Sequence, residues 1–188
     1  MEKQKHLQAL NKKWIRKCSC TLRATATQAV LGQGSATAKI IFIGEAPGKK
    51  EDEQGIPFIG AAGKFLSELL VSIHLKREAV YITNTVKYRP PENRDPSPDE
   101  IAACREWLLE EIATINPKLI VTLGRHAMKH FLPEEKISEV HGKVFRKNID
   151  GLGQKKILPL YHPAAALYNG SLRETLKKDF KKISKNLH

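Results

Sequence analysis

The segment 44–63, GEAPGKKEDEQGIPFIGAAG, brings together residue types that catalysis uses. Glu45, Glu51 and Asp52 supply carboxylates, and Phe58 supplies an aromatic face. Glycine and proline at this density favour a tight, irregular loop that carries side chains and backbone amides close to a ligand. The alternative is a surface loop with ordinary solvated acids, but five glycines among four acids and a Pro-Phe pair disfavour it. The segment is therefore predicted to line a pocket.

The four small residues at 60–63 open a predicted helix with almost no side-chain bulk. Small residues at this position let a phosphate approach the positive N-terminus of a helix. The pattern predicts a contact with a phosphate-bearing ligand.

Two further polar side chains stand at the ends of apolar runs. The amide of Asn84 offers a donor and an acceptor side by side, which suits a ligand edge that carries an N–H next to a carbonyl oxygen. His162 precedes a Pro-Ala-Ala-Ala-Leu turn, and its imidazole is suited to stabilise charge that develops on the carbonyl oxygen of a leaving base. Taken singly, each residue also fits a structural role, so the functional interpretation depends on their meeting in space.

Apolar runs alternate with helical patterns along the chain. The runs fit buried parallel strands and cover residues 39–44, 80–84, 119–124 and 157–162. Helices are predicted over 64–74, from Ser97, after Gly124 and from Ser171. This alternation predicts an α/β fold, a three-layer α/β/α sandwich with a central four-stranded parallel sheet. Because ligands bind at the carboxyl ends of such strands, Glu45, Asn84 and His162 are expected to converge at one rim.

Two helices carry further signals. Ser97, Pro98 and Glu100 form the capping-box start of a helix. The last helix is predicted to direct an apolar face inward, made of Leu172, Leu176, Phe180, Ile183 and Leu187. Residues 1–35 are predicted to form an N-terminal extension, a short helix and a loop, that packs on a domain covering 36–188.

The composition is that of a globular, basic protein. Of the 188 residues, 41% are hydrophobic, which suffices for a sizeable core, and the formal net charge is +12. A basic surface favours polyanions such as nucleic acids, although many lysine-rich chains bind none. The sequence shows neither a signal peptide nor a membrane span, so a location in the cytoplasm with no membrane partner is expected. The chain is also expected to act as a monomer.

Cys18, Cys20 and Cys104 make an odd count in a chain without an export signal, which disfavours a disulfide framework. The C-x-C spacing differs from the C-x-x-C of common metal knuckles. Cys104 lies on the apolar stripe of a predicted helix, where a free cysteine usually acts as a small hydrophobic residue.

The order of four motifs resembles the uracil-DNA glycosylase superfamily, and family 4 within it most closely. These motifs are GEAPG-x-x-ED, PFIGAAG, TNTVK-x-RPPENRDP and HPAAAL, within a resemblance that covers about residues 18–180. The resemblance implies a DNA repair enzyme that flips uracil out of DNA, hydrolyses its N-glycosidic bond and leaves an abasic site. No lysine or terminal amine is placed to form a Schiff base, so a monofunctional enzyme is expected.

The resemblance also implies roles for individual residues. Glu45, Glu51 and His162 would be catalytic; Ala46, Gly48, Phe58 and Asn84 would bind the substrate base; and Gly60, Ala61, Ala62, Gly63, Arg89, Pro163, Ala164 and Leu167 would contact the DNA. Glu45 would act in water activation, Phe58 would stack on the uracil, and His162 would bind its carbonyl oxygen.

One departure concerns a cofactor. The family usually binds a [4Fe–4S] cluster through four cysteines, but here Tyr88 replaces one and Lys17 occupies the place of another, with Cys18 displaced by one residue. Cys20 and Cys104 keep their positions. Because such a cluster normally needs four ligands, no cofactor is predicted. The alternative is a degenerate cluster held by Cys18, Cys20 and Cys104.

Three other functions stay open at this level. The first is a non-catalytic paralogue that only binds uracil or lesions. The second is a glycosylase that also accepts hypoxanthine or xanthine, and the third is a metabolic enzyme that binds phosphate on a similar sheet. Intact Glu45, Asn84 and His162 argue against the first, and the charge of +12 argues against the last.

Overall fold

The computed structural model describes residues 2–186, so Leu187 lies outside the described residues. The helices are α1 (Glu2–Lys17), α2 (Lys49–Gln54), α3 (Ala61–Ser72), α4 (Pro98–Ile115), α5 (Arg125–Lys129), α6 (Ile137–Val140), α7 (Ala165–Tyr168) and α8 (Gly170–Lys185). The strands are β1 (Gln33–Gly34), β2 (Ile40–Gly44), β3 (Tyr81–Asn84), β4 (Leu119–Leu123), β5 (Phe145–Ile149) and β6 (Gly153–Leu160). Short 3₁₀ turns cover Thr21–Ala24, Arg77–Ala79 and Pro91–Asn93.

The sheet has six strands in the order β1-β3-β2-β4-β6-β5. Its centre is the predicted set of four parallel strands, β3, β2, β4 and β6. Two short antiparallel strands, β1 and β5, extend the edges and were not predicted. Both are mostly exposed and polar, so neither has the apolar run by which the central strands are recognisable.

The central strands contribute side chains to two cores, because successive residues of a strand point to opposite faces of the sheet. In β2, Ile40 and Phe42 pack with α3 and α8, whereas Ile41 and Ile43 pack with α1 and α4. Phe42 stacks on Phe180 of α8 with ring centroids 5.9 Å apart. The predicted α/β/α sandwich is therefore confirmed.

The predicted capping box starts α4. The backbone N–H of Glu100 donates to Ser97 Oγ at 3.3 Å, and the N–H of Ser97 donates to Glu100 Oε2 at 2.7 Å. Helix α1 packs along α4 through Leu7 and Leu10, so this part of the N-terminal segment is integral to the core. No helix within residues 2–186 combines the length and apolarity needed to cross a membrane.

Candidate active site

A cavity of about 350 Å³ opens at the carboxyl ends of the parallel strands. The structure brings together Glu45 after β2, Asn84 at the end of β3 and His162 after β6, as their strand-end positions predict. The wall is completed by Ala46, Pro47, Gly48, Glu51, Phe58, Ala62, Pro90, Asn93, Arg94, Asp95 and Ala164.

The segment 44–63 is less irregular than predicted, because α2 forms within it. Asp52 of α2 points away from the cavity: its carboxylate accepts hydrogen bonds from the backbone N–H and the hydroxyl of Thr27, the latter at 2.7 Å. Interpreting Asp52 as a pocket carboxylate was therefore wrong, and its role is to fix the N-terminal segment on the domain.

Phe58 is held in an unusual backbone conformation, with φ at 53° and only 6% of the residue exposed. Two glycines make room for it. A Cβ atom on Gly44 would lie 2.5 Å from the Phe58 ring and 2.4 Å from Asn84 Oδ1, and one on Gly63 would lie 1.9 Å from the Phe58 carbonyl oxygen. The glycines thus let an aromatic face and an amide share one wall.

Glu51 supports the same region from the loop side. Its Oε1 accepts backbone hydrogen bonds from Ile59 at 3.0 Å and Gly60 at 2.8 Å. A Cβ on Gly48 would lie 2.8 Å from Glu51 Oε2, so the small residue at 48 leaves room for this carboxylate. Glu51 borders the cavity while it fixes the backbone next to Phe58. Its catalytic role stays a prediction.

Asn84 is 1% exposed, and its Oδ1 has no hydrogen-bond partner among the described residues. A buried oxygen in this state is unusual, because leaving a buried polar group unpaired costs about 1–3 kcal/mol. Since Asn84 borders the cavity, a ligand that donates an N–H would satisfy this oxygen.

His162 packs against Phe58 in the cavity wall, with ring centroids 5.6 Å apart. The backbone N–H of Ala164 donates to His162 Nδ1 at 3.1 Å. Burial lowers the pKa of His162 to about 4, so the imidazole is neutral near pH 7. Because Nδ1 accepts, the proton resides on Nε2, which is the nitrogen left free to donate.

Glu45 belongs to a small polar cluster at the cavity rim. Burial, together with the neighbouring Asp95 carboxylate, raises the pKa of Glu45 to about 7, although the nearby Arg125 opposes this shift. Side-chain atoms of Glu45, Asp95 and His126 all lie within 4.8 Å of one another. Sequence reasoning missed Asp95 and His126, because no local pattern shows that this exposed loop residue and this half-buried helix residue meet Glu45.

The residues predicted to contact DNA occupy different settings. Ala62 and Ala164 border the cavity, and Gly60, Ala61 and Gly63 lie at the N-terminus of α3. Pro163 is buried, whereas Leu167 is 39% exposed and the adjacent Tyr168 is 93% exposed. Arg89 lies outside the cavity wall, where its Nε donates to Asn93 Oδ1 at 2.8 Å.

The three cysteines meet in one buried cluster with Trp14 and Tyr88. Hydrogen bonding with Cys104 lowers the pKa of Cys18 to about 7 and lowers that of Cys20 as well. Tyr88 is 4% exposed, and its ring centroid lies 5.0 Å from that of Trp14. Because a [4Fe–4S] cluster takes four ligands, three thiols beside a buried aromatic pair do not fit it.

Comparison with known proteins agrees with this geometry. The sequence profile described as the Uracil DNA glycosylase superfamily matches residues 31–188, so the chain belongs to this superfamily.

Three relatives named Type-4 uracil-DNA glycosylase are similar over most of their length, which confirms the predicted resemblance. The protein of Archaeoglobus fulgidus is 49% identical over 170 residues, covering 87% of this chain and 84% of the relative. That of Saccharolobus solfataricus is 47% identical over 180 residues, covering 92% and 83%. That of Thermotoga maritima is 45% identical over 171 residues, covering 89% and 88%.

Proposed function

We propose that the chain hydrolyses the N-glycosidic bond of uracil in DNA and releases the free base. The observation that carries this proposal is the buried, unpartnered Oδ1 of Asn84 in the cavity wall. The N3–H of uracil would donate to Oδ1, and the Asn84 amide N–H would donate to O4. Cytosine presents an acceptor at N3 and a donor at C4, so it would leave the same amide unsatisfied.

The other wall residues fit the same chemistry. Enzymes that act on a base flip it out of the duplex, and Phe58 offers the flipped ring a stacking surface. As the glycosidic bond breaks, negative charge builds on the uracil O2, and the Nε2–H of neutral His162 would donate to it. Glu45 would orient or deprotonate the attacking water, and Glu51 would hold the loop that presents Phe58.

DNA would reach this cavity along a basic surface. The net charge of +12 favours phosphate binding, and the N-terminus of α3 offers backbone N–H groups at the rim. Gly60, Ala61, Ala62, Arg89 and Ala164 would contact the backbone, while the buried Gly63 and Pro163 would shape the loops that present them, and the exposed Leu167 would fill the gap left by the flipped base. Action as a monomer and location in the cytoplasm stay predictions.

The small side chain of Ala46 in the cavity wall also favours a wider range of deaminated bases, whereas the space beside Gly48 is taken by the Glu51 carboxylate. Oligonucleotides carrying hypoxanthine or xanthine in place of uracil test this. We expect slower release of either base than of uracil, because each purine presents the same N–H and carbonyl edge to Asn84 but carries a second ring that the cavity must also hold.

The test of the proposed function is release of free base from an oligonucleotide that contains one uracil. We expect free uracil and a strand that breaks only after alkali, which marks an abasic site. Tight binding without release would identify a non-catalytic paralogue, and breakage without alkali would contradict the monofunctional mechanism.

The pKa of Glu45 makes a prediction about pH. Glu45 is ionised only above about pH 7, so kcat/KM is expected to fall about tenfold per pH unit below this value if its carboxylate activates water. His162 stays neutral down to about pH 4, so it does not contribute to this fall in kcat/KM on the acid side of the profile. Glu45→Gln is expected to lower the rate and flatten the profile, as measured by single-turnover kinetics from pH 5 to 9. An unchanged acid limb in this variant would assign the limb to another group.

The cysteine cluster makes a prediction about iron. Because Tyr88 stands where the family has one of its four cysteines and Cys18 is displaced by one residue from another, we propose that the protein folds and acts without a cofactor. The purified protein is expected to lack iron and the visible absorption of an iron–sulfur cluster, and to stay active in a chelator. Tyr88→Cys, produced in parallel, is the control that restores a fourth thiol. Stoichiometric iron in the unsubstituted protein would contradict the prediction.

A further inference from the structure

A buried ion pair lies directly behind the residue proposed to recognise uracil. Lys87 follows β3 and is 4% exposed, and Glu111 on α4 is 2% exposed. Lys87 Nζ lies 2.8 Å from Glu111 Oε2. The mechanism above uses neither residue, although both side chains are charged and almost completely buried.

All three N–H groups of the Lys87 ammonium have partners. They donate to Glu111 Oε2, to Thr83 Oγ1 and to the backbone carbonyl oxygen of Asn84, the last at 2.9 Å. The Glu111 carboxylate also accepts from the Tyr81 hydroxyl at 2.7 Å and from the Thr83 hydroxyl at 3.0 Å. The network therefore links α4 to three residues of β3 and ends on the main chain of Asn84.

The same stretch is tied to the backbone of Glu45. Thr85 Oγ1 donates to the Glu45 carbonyl oxygen at 2.6 Å, and the N–H of Val86 donates to it at 3.2 Å. The two residues after Asn84 therefore hold the end of β3 against the end of β2, where Glu45 lies.

Stability alone does not account for this pair. Removing two charges from water is expensive, and well-packed apolar residues of similar volume often give equal or greater stability than a buried ion pair. What an apolar pair lacks is a donor aimed at the Asn84 carbonyl. A misplacement of about 1 Å in an active site costs on the order of 10²-fold in rate, so fixing this carbonyl bears directly on catalysis.

We propose that Lys87, held by Glu111, is a positioning residue that orients Asn84 for recognition of uracil. This inference rests on the proposed function. The network fixes the peptide from which the Asn84 side chain projects, so that its unpartnered Oδ1 meets the N3–H of the flipped base.

The test compares three variants with the unsubstituted protein. Lys87→Met with Glu111→Met removes both charges and is expected to lower kcat/KM for uracil release about 10²-fold in a protein that still folds, with a reduced melting temperature because the Tyr81 and Thr83 hydroxyls lose their acceptor. Glu110→Gln is the control. Glu110 lies next to Glu111 on α4 but pairs at the surface with Lys13 of α1, so this change is expected to alter neither the melting temperature nor kcat/KM. If the double variant does not fold, Glu111→Gln replaces it, with a loss in the same direction.

A double-mutant cycle with Asn84→Ala separates positioning from a general structural role. We expect the Lys87 and Glu111 changes to add no further loss once the Asn84 side chain is absent. A full additional loss in that background, or a folded double variant with unchanged kcat/KM, would overturn the inference. Failure of the unsubstituted protein to release uracil would instead refute the proposed function.

Discussion

Asn84→Ala is expected to lower kcat/KM for uracil release by on the order of 10³-fold, because the flipped uracil then loses the hydrogen bonds to its N3–H and O4 that hold it in the pocket. The same change is expected to leave the melting temperature unchanged or slightly higher. The substitution removes an oxygen that is buried without a partner, and alanine leaves no polar atom to desolvate. Loss of activity without loss of stability would mark the amide as a functional group.

Single-turnover kinetics on a uracil-containing duplex, together with thermal unfolding, measure both effects. Asn148→Ala is the matched control, since this asparagine is exposed on the edge strand β5, remote from the cavity. We expect the control to match the unsubstituted protein in both measurements. An Asn84→Ala protein within a factor of about ten of normal activity would show that another group reads the base.

His162→Ala is expected to lower the rate of the chemical step by about 10²- to 10³-fold, the usual effect of removing one donor to a developing oxyanion. The effect should fall on kcat with little change in KM, because the charge on the uracil oxygen appears in the transition state. The neutral imidazole with its proton on Nε2 is what makes this donation available at neutral pH.

Two controls sharpen this second experiment. His162→Gln keeps an N–H donor and is expected to recover part of the rate, whereas His6→Ala, on the exposed side of α1, is expected to change nothing. A rise in KM with unchanged kcat would mean that His162 binds substrate and transition state equally well. That outcome would remove His162 from the stabilisation of the leaving base.

The central strands could be predicted from sequence because each is an apolar run buried on both faces. The edge strands β1 and β5 could not, since their residues are largely exposed and show no such run. Helix α2 was hidden within a segment rich in glycine, where local composition favours a loop. The helix lies between the N-cap Gly48 and Gly55, which ends it in the left-handed conformation. Asp52 also contacts Thr27, 25 positions earlier, and no local pattern encodes that contact.

The candidate site divides in the same way. Asn84 and His162 could be placed in one cavity from their strand-end positions alone, because parallel strands share a carboxyl rim. The pairing of Glu45 with Asp95, and of Lys87 with Glu111, depends on how distant segments pack, and no local pattern encodes it. The unpartnered Oδ1 of Asn84 likewise becomes visible only when every neighbour is known.

The most direct measurement compares excision of uracil and of 3-methyluracil from the same DNA sequence, by the unsubstituted protein and by Asn84→Ala. Methylation removes the N3–H that Asn84 Oδ1 is proposed to accept. We expect the unsubstituted protein to excise uracil at least about 10³-fold faster than 3-methyluracil, and Asn84→Ala to narrow this ratio sharply. Equal excision of both bases, or no release of uracil at all, would contradict a uracil site built around Asn84.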